Sequence, residues 1–232
     1  SQEPVLVPLL PAFVNRPQPA AVLFDLDGVV VDTARFHYLA WKKIADQEGI
    51  YFDTHINERL KGVSRMRSLE IILERAERIY AETEKEALAE KKNTRYVEML
   101  QQLTAADILP GINVFLDELA AAGLKTAVVS ASRNAAFILE RLGLARRFDT
   151  VVSGNDTTRS KPDPEGMLLA AEKLGIKPAE CVVIEDAAAG IDAAVEAGMR
   201  SLGIGDKTLL HRADYTLPET QYLKMERIHA LY

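Results

Sequence analysis

Two carboxylates, Asp25 and Asp27, stand two residues apart directly after the apolar run Ala20–Phe24, and Gly28 follows them. Three further apolar runs end in polar groups. The second leads into Ser130-Ala131-Ser132-Arg133-Asn134, the third into Ser160-Lys161-Pro162-Asp163-Pro164, and the fourth into Glu185-Asp186 before a small-residue turn to Gly190. One rim would then collect paired Asp, serines, a lysine and a second acidic pair. That set suits phosphoryl transfer through an aspartyl phosphate, because a carboxylate nucleophile splits one hard displacement into two easier ones. The transferring group is heavily charged and needs a cation, a lysine and hydroxyl or amide donors around it. Four acidic side chains beside a phosphate would repel it unaided, and a set of oxygen ligands favours Mg²⁺ over zinc.

The elements that must position these groups are legible from periodicity. Short apolar runs at Ala20–Phe24, Thr126–Val129, Thr150–Val152, Cys181–Ile184 and Ser201–Ile204 suit strands buried on both faces of a parallel sheet. Helical patterns lie between them at Val114–Ala122, Ala135–Leu142, Glu165–Leu174 and Ile191–Ala197, and Gly123, Gly143, Gly175 and Gly198 are placed to close helices. Strands alternating with helices predict an α/β fold with a doubly wound parallel sheet, whose ligands sit outside the carboxyl ends of the strands. Residues 34–103 break the rhythm. They show helical spacing (Leu39, Ile44; Leu69, Ile72, Leu73, Ala76; Leu88, Tyr96, Val97, Leu100) and no strand pattern, so they read as an inserted helical domain. The core is then 20–33 with 104–232. Residues 1–19 hold half of the ten prolines and read as an extended arm or an appended tail. Glu219–Leu231 is expected to close the core as a helix.

The 232 residues carry a net charge of −6, with 48% hydrophobic and 27% charged residues. This is ordinary globular composition. Net acidity argues against nucleic acid as partner. No apolar run approaches the roughly 20 residues of a membrane helix. A single Cys181 excludes an internal disulfide or a Cys-based zinc site and fits a reducing, cytoplasmic compartment.

The string DLDGVVVDT, the Ser130 loop, the Lys161-Pro162 pair and Glu185-Asp186 together resemble, in order and spacing over about residues 20–205, the haloacid dehalogenase superfamily of phosphotransferases. The resemblance implies a Rossmann-like core with a helical cap. It implies Asp25 as nucleophile and Asp27 as general acid/base. Ser130 and Lys161 would clamp the phosphoryl group. Asp25, the Asp27 backbone carbonyl, Glu185 and Asp186 would hold Mg²⁺.

The fold does not settle the substrate. In the inserted segment, His37 and Trp41 lie four apart on one helical face, Leu60-Lys61-Gly62-Val63-Ser64-Arg65 is followed by Ser68, and Lys92-Asn93 ends a charged run. A glycine followed by Ser and Arg lets amides and a guanidinium grip a phosphate. Taken singly, these also fit a surface helix, a linking loop and a solvated face. Together with FDLDGVVVDTARFHYLAW and SASRN they resemble the hexose-phosphate mutases of the superfamily. That implies interconversion of β-glucose 1-phosphate and glucose 6-phosphate by a monomeric enzyme acting on small sugar phosphates. Implied substrate contacts are Thr33, His37, Trp41, Lys61, Gly62, Val63, Arg65, Ser68, Lys92 and Asn93, with Ser132, Arg133 and Asn134 on the distal phosphate. His37 and Lys92 would couple Asp27 to closure of the cap. Arg133 departs from the lysine familiar in that group. A sugar-phosphate phosphatase on the same scaffold, and a non-catalytic binding protein, remain competing readings.

Overall fold

The computed structural model describes residues 16–232, so the expected arm at 1–19 lies mostly outside the described residues. Six strands form one parallel sheet in the order β3-β2-β1-β4-β5-β6. They are β1 (Ala21–Phe24), β2 (Lys125–Val129), β3 (Thr150–Val152), β4 (Cys181–Glu185), β5 (Arg200–Ile204) and β6 (Tyr215–Leu217). Because β1 is central, paired with β2 on one side and β4 on the other, its four residues are all buried and all apolar. The order reverses at β1, which opens a crevice at its carboxyl end.

Helices cover both faces. On one side α5 (Ile112–Ala121), α6 (Ala135–Arg141) and the short α9 (Met225–His229) pack over Phe24, Val128 and Ile184. On the other, α7 (Glu165–Leu174) and α8 (Ala188–Glu196) pack over Leu23, Val129 and Val183. Alternate residues of one strand thus serve opposite layers, as the two-residue period of a strand requires. Gly123, Gly143, Gly175 and Gly198 all end helices with positive φ.

Between β1 and α5 the chain is helical: α1 (Ala34–Gln47), α2 (Thr54–Asn57), α3 (Arg65–Leu73) and α4 (Glu82–Leu100). They enclose a separate apolar cluster of Trp41, Ile44, Phe52, Leu69, Ile72 and Ala89. Leu39 lies on the outer face, 47% exposed, although its spacing suggested an inward position, because α1 turns Trp41 and Ile44 inward instead. Two expectations for the C-terminal end need correction. β6 was not read from the sequence: only Leu217 of its three residues is buried, so an edge strand of this length leaves no apolar run. The helix expected over Glu219–Leu231 is a 3₁₀ turn (Thr220–Tyr222) followed by the five-residue α9. Among the described residues no helix is long and apolar enough to cross a membrane.

Candidate active site

The four polar strand ends converge. Asp25 follows β1, and its amide donates to the Ile184 carbonyl at 3.0 Å, so the sheet ladder itself fixes the residue beside β4. Lys161 comes from the loop before α7 and is 6% exposed. Its Nζ donates to Asp25 Oδ1 (3.1 Å), Glu185 Oε2 (2.9 Å) and the Val129 carbonyl (2.9 Å), so all three donors are used. Burial alone would lower the Lys161 pKa, but Asp25 and Glu185 outweigh it and hold the ammonium charged. Burial, then the Asp25 charge, pushes the Glu185 carboxyl well above its ordinary value, and the same two causes act on Asp186.

Asp25, Glu185 and Asp186 present oxygens that all lie within 4.8 Å of one another. Glu185 is sealed from solvent and its Oε1 has no hydrogen-bond partner. A buried oxygen without a donor is costly. An all-oxygen set in which carboxylates outnumber the single lysine therefore fits a hard divalent cation.

Asp27 faces the helical segment. Its Oδ2 lies 3.3 Å from His37 Nε2, and His37 Nδ1 lies 2.7 Å from Lys92 Nζ. The ammonium has no acceptor, so it donates to Nδ1. The imidazole proton is thereby placed on Nε2, directed at Asp27. Burial, then Lys92, lowers the His37 pKa, against the opposing pull of Asp27. Lys92 is 4% exposed, and burial, then Arg65, brings it down to about 7. Its Nζ stands over the rings of Trp41 (5.0 Å) and Tyr96 (4.5 Å), and Tyr96 stacks on His37 at 3.9 Å. Tyr96 was read from the sequence as an apolar helix position and within the string that follows Lys92-Asn93, with no role of its own at the site. Its one available signal was its place one turn after Lys92.

A cavity of about 600 Å³ separates the helical block from the strand ends. Its wall includes Asp25, Asp27, Ser130 and Asp186 together with Ser132, Arg133 and Asn134 from the β2 loop. From the helical side come His37, Trp41, Lys61, Gly62, Val63, Arg65, Ser68, Lys92 and Asn93. Thr33, Lys161 and Glu185 do not reach the wall. Thr33 is fully buried at the start of α1, where its carbonyl accepts from the Phe36 and His37 amides. Lys161 and Glu185 lie beneath Asp25. Thr157, Thr158 and Ser160 also line the cavity, and no motif in the sequence singled out the first two.

Hydrogen bonds shape the β2 loop. Ser130 Oγ accepts from the Ser132 amide (3.0 Å) and Ser132 Oγ from the Asn134 amide (3.1 Å), curling the chain into two successive turns. Ser64 caps α3 by accepting from the Arg67 amide, which starts the helix at Arg65. Burial, then the Arg133 charge, lowers the Arg65 pKa, and the nearest carboxylate, Glu90, stands 3.9 Å away. Two guanidinium groups on one cavity wall, with Glu90 too distant to hydrogen-bond either directly, leave donors that can meet an anion.

An all-parallel α/β sheet with an acidic, lysine-bridged centre at the end of its central strand defines a phosphotransfer scaffold. The family model for haloacid dehalogenase-like hydrolases matches residues 19–198, and the chain belongs to that family. Within it, the chain is 45% identical to the β-phosphoglucomutase of Bacillus subtilis over 90% of its own length and 93% of the relative's. A crystal structure of β-phosphoglucomutase from Clostridium difficile superposes with a TM-score of 0.89 at 42% identity, covering 93% of this chain and 97% of that one. A phosphorylated carbohydrates phosphatase of Thermotoga maritima is 32% identical, over 78% of this chain and 83% of that protein.

Proposed function

We propose that the chain interconverts β-D-glucose 1-phosphate and D-glucose 6-phosphate as an Mg²⁺-dependent mutase, through an aspartyl phosphate on Asp25 and β-glucose 1,6-bisphosphate. The observation that carries this reading is a single cavity with two unlike phosphate-binding regions: the Asp25–Lys161–Ser130 centre and the Arg65–Arg133 pair. A substrate with one reacting and one anchoring phosphate uses both.

Residues 34–103 act as a cap over a core of 20–33 and 104–232. Asp25, Glu185, Asp186 and the Asp27 backbone carbonyl would hold Mg²⁺, which supplies charge neutralisation for the transferring group. Asp25 carries the phosphoryl group, with Lys161 and Ser130 holding its oxygens. Asp27 takes the proton of the attacking sugar hydroxyl as the bond from phosphorus to Asp25 breaks and a bond to the sugar oxygen forms. The bisphosphate turns over in the cavity, with Lys61, Gly62, Val63 and Ser68 lining its path and Trp41 flooring it. Asp25 then attacks the other phosphate, and Asp27 returns the proton to the departing sugar oxygen. Ser132, Arg133, Asn134 and Arg65 hold whichever phosphate is idle. Lys92 and His37 come from the cap, so Asp27 is oriented when the cap lies against the core, and closure keeps water from the aspartyl phosphate. A single cysteine, the buried Cys181, suits a reducing, cytoplasmic compartment, and one chain supplies every group named, which suits a monomer.

The test is a coupled assay with separate α and β anomers of glucose 1-phosphate, Mg²⁺ and a bisphosphate primer, following phosphate release in parallel. Glucose 6-phosphate is expected from the β anomer alone, with little inorganic phosphate, and Asp25→Ala should abolish it. Phosphate release matching or exceeding isomerisation would make the enzyme a phosphatase instead.

A further inference from the structure

The Asn93 side chain ties the two sides of the cavity together. Its Oδ1 accepts from Arg65 Nη2 at 3.0 Å, within the helical block, and from Asn134 Nδ2 at 2.9 Å, across the cavity in the β2 loop. Arg65 has no acceptor, so the oxygen of Asn93 must face it, and Asn134 must then present its amide hydrogens to the same oxygen. Among the described residues, two other side-chain hydrogen bonds cross from residues 34–103 to the rest of the chain. One is His37 with Asp27 and the other is Arg141 with the Gln101 carbonyl. Both lie at the roots of the helical block or beside Asp27. The Asn93 contact alone joins the block to the loop that carries Ser132 and Arg133.

The bond leaves binding capacity intact. Arg65 commits one of five N–H donors to Asn93, and its nearest carboxylate is 3.9 Å away, so its remaining donors can meet an anion. A guanidinium is planar, and fixing one nitrogen restricts the direction in which the others point. Asn93 is neutral, so it orients Arg65 without cancelling the charge that the Arg65–Arg133 pair offers. An aspartate there would also orient it, but would place a negative charge beside the anion.

Building on the mutase reading, we propose that Asn93 is a positioning residue: its carboxamide oxygen clasps Arg65 to the Asn134 loop, setting the guanidinium toward the idle phosphate and holding the cleft shut against water. The clasp acts on two measurable quantities. One is the KM for the sugar phosphate, and the other is the share of turnovers in which the aspartyl phosphate is lost to water.

Asn93→Ala and Asn93→Asp test this in the full-length enzyme, with acetyl phosphate turnover and thermal unfolding measured alongside to follow Asp25 chemistry and folding. Asn93→Ala is expected to raise the KM for β-glucose 1-phosphate about tenfold, as expected for one lost hydrogen bond to a charged partner, and to raise phosphate release per isomerisation. Asn93→Asp should raise that KM further while releasing less phosphate than Asn93→Ala, because it restores the clasp but repels the anion. Acetyl phosphate, which has no second phosphate, should show a smaller KM change in both. Wild-type KM and wild-type phosphate release in Asn93→Ala would overturn the clasp, as would equal KM changes for the two substrates. A wild-type enzyme that does not isomerise β-glucose 1-phosphate would overturn the mutase reading instead, whatever the variants do.

Discussion

Lys92 carries a positive charge into an interior position of a helix whose neighbours Lys91, Thr94 and Glu90 are exposed. Two aromatic faces and the His37 lone pair offset part of the desolvation cost, and the pKa still falls to about 7. The folded value lies below the unfolded one. The unfolded chain therefore holds the proton more tightly between about pH 7 and 10.5, and the fold gains stability as pH rises through that window. The burial cost is fully present below pH 7. Lys92→Met should therefore stabilise the protein at pH 6, by on the order of 2 kcal/mol after loss of the cation–π contacts. That gain should shrink towards pH 10. Denaturant melts at the two pH values check it. The stabilised variant should also isomerise poorly, because nothing then directs the His37 proton at Asp27.

At the scale of elements, the acidic centre depends on how close α8 comes to β4. Glu185 ends β4, and Gly190 lies in the first turns of α8 directly against its carboxylate. A Cβ on Gly190 would overlap the Glu185 side chain, which is fixed by Lys161 and has no free space to move into. Gly28 stands in the same relation to Asp186. Gly190→Ala should displace Glu185, cost about 1–3 kcal/mol through overpacking, and raise the Mg²⁺ concentration needed for half-maximal activity about tenfold or more. An Mg²⁺ titration of activity together with a chemical melt measures both.

For the whole molecule, the net charge of −6 has a local meaning. Arg65, Lys92 and Arg133 face the cavity, whereas Asp25, Glu185 and Asp186 crowd together around a single lysine. Folding therefore gathers like charges that the unfolded chain keeps apart. A cation that binds only the folded form adds about 2.7 kcal/mol at a hundredfold excess over its dissociation constant. For a chain of this size Mg²⁺ should raise Tm by about 5 °C or more. Scanning calorimetry with Mg²⁺ and with EDTA measures the shift, and Asp186→Asn should remove most of it. Packing supports the same division of labour. The helical block has its own apolar cluster around Trp41 and Phe52, separate from the two clusters that flank the sheet.

The sheet domain was legible because its strands are central, short and apolar, and because each ends abruptly in a polar group. Asp25, Ser130 and Glu185-Asp186 announce themselves by interrupting a hydrophobic run. Residues 34–103 announced themselves by the wrong period. By contrast, β6 has one buried residue in three, and α9 runs five residues, too few to show a period. Lys92 and Asn93 were singled out by resemblance alone; by period and composition they and Tyr96 belong to an ordinary charged, amphipathic helix. Nothing local distinguishes a lysine that faces water from one that faces a histidine 55 positions earlier in the chain. The sequence by itself determined the fold class and the order of the polar groups that end the strands, since those follow from periodicity and from where it breaks. Only the tertiary structure decided that Thr33 is sealed behind the cavity, that His37 stands between Asp27 and Lys92 within hydrogen-bond reach of both, and that Asn93 joins Arg65 to Asn134. Those relations depend on which helix face meets the sheet, and that is settled by packing between segments far apart in the chain.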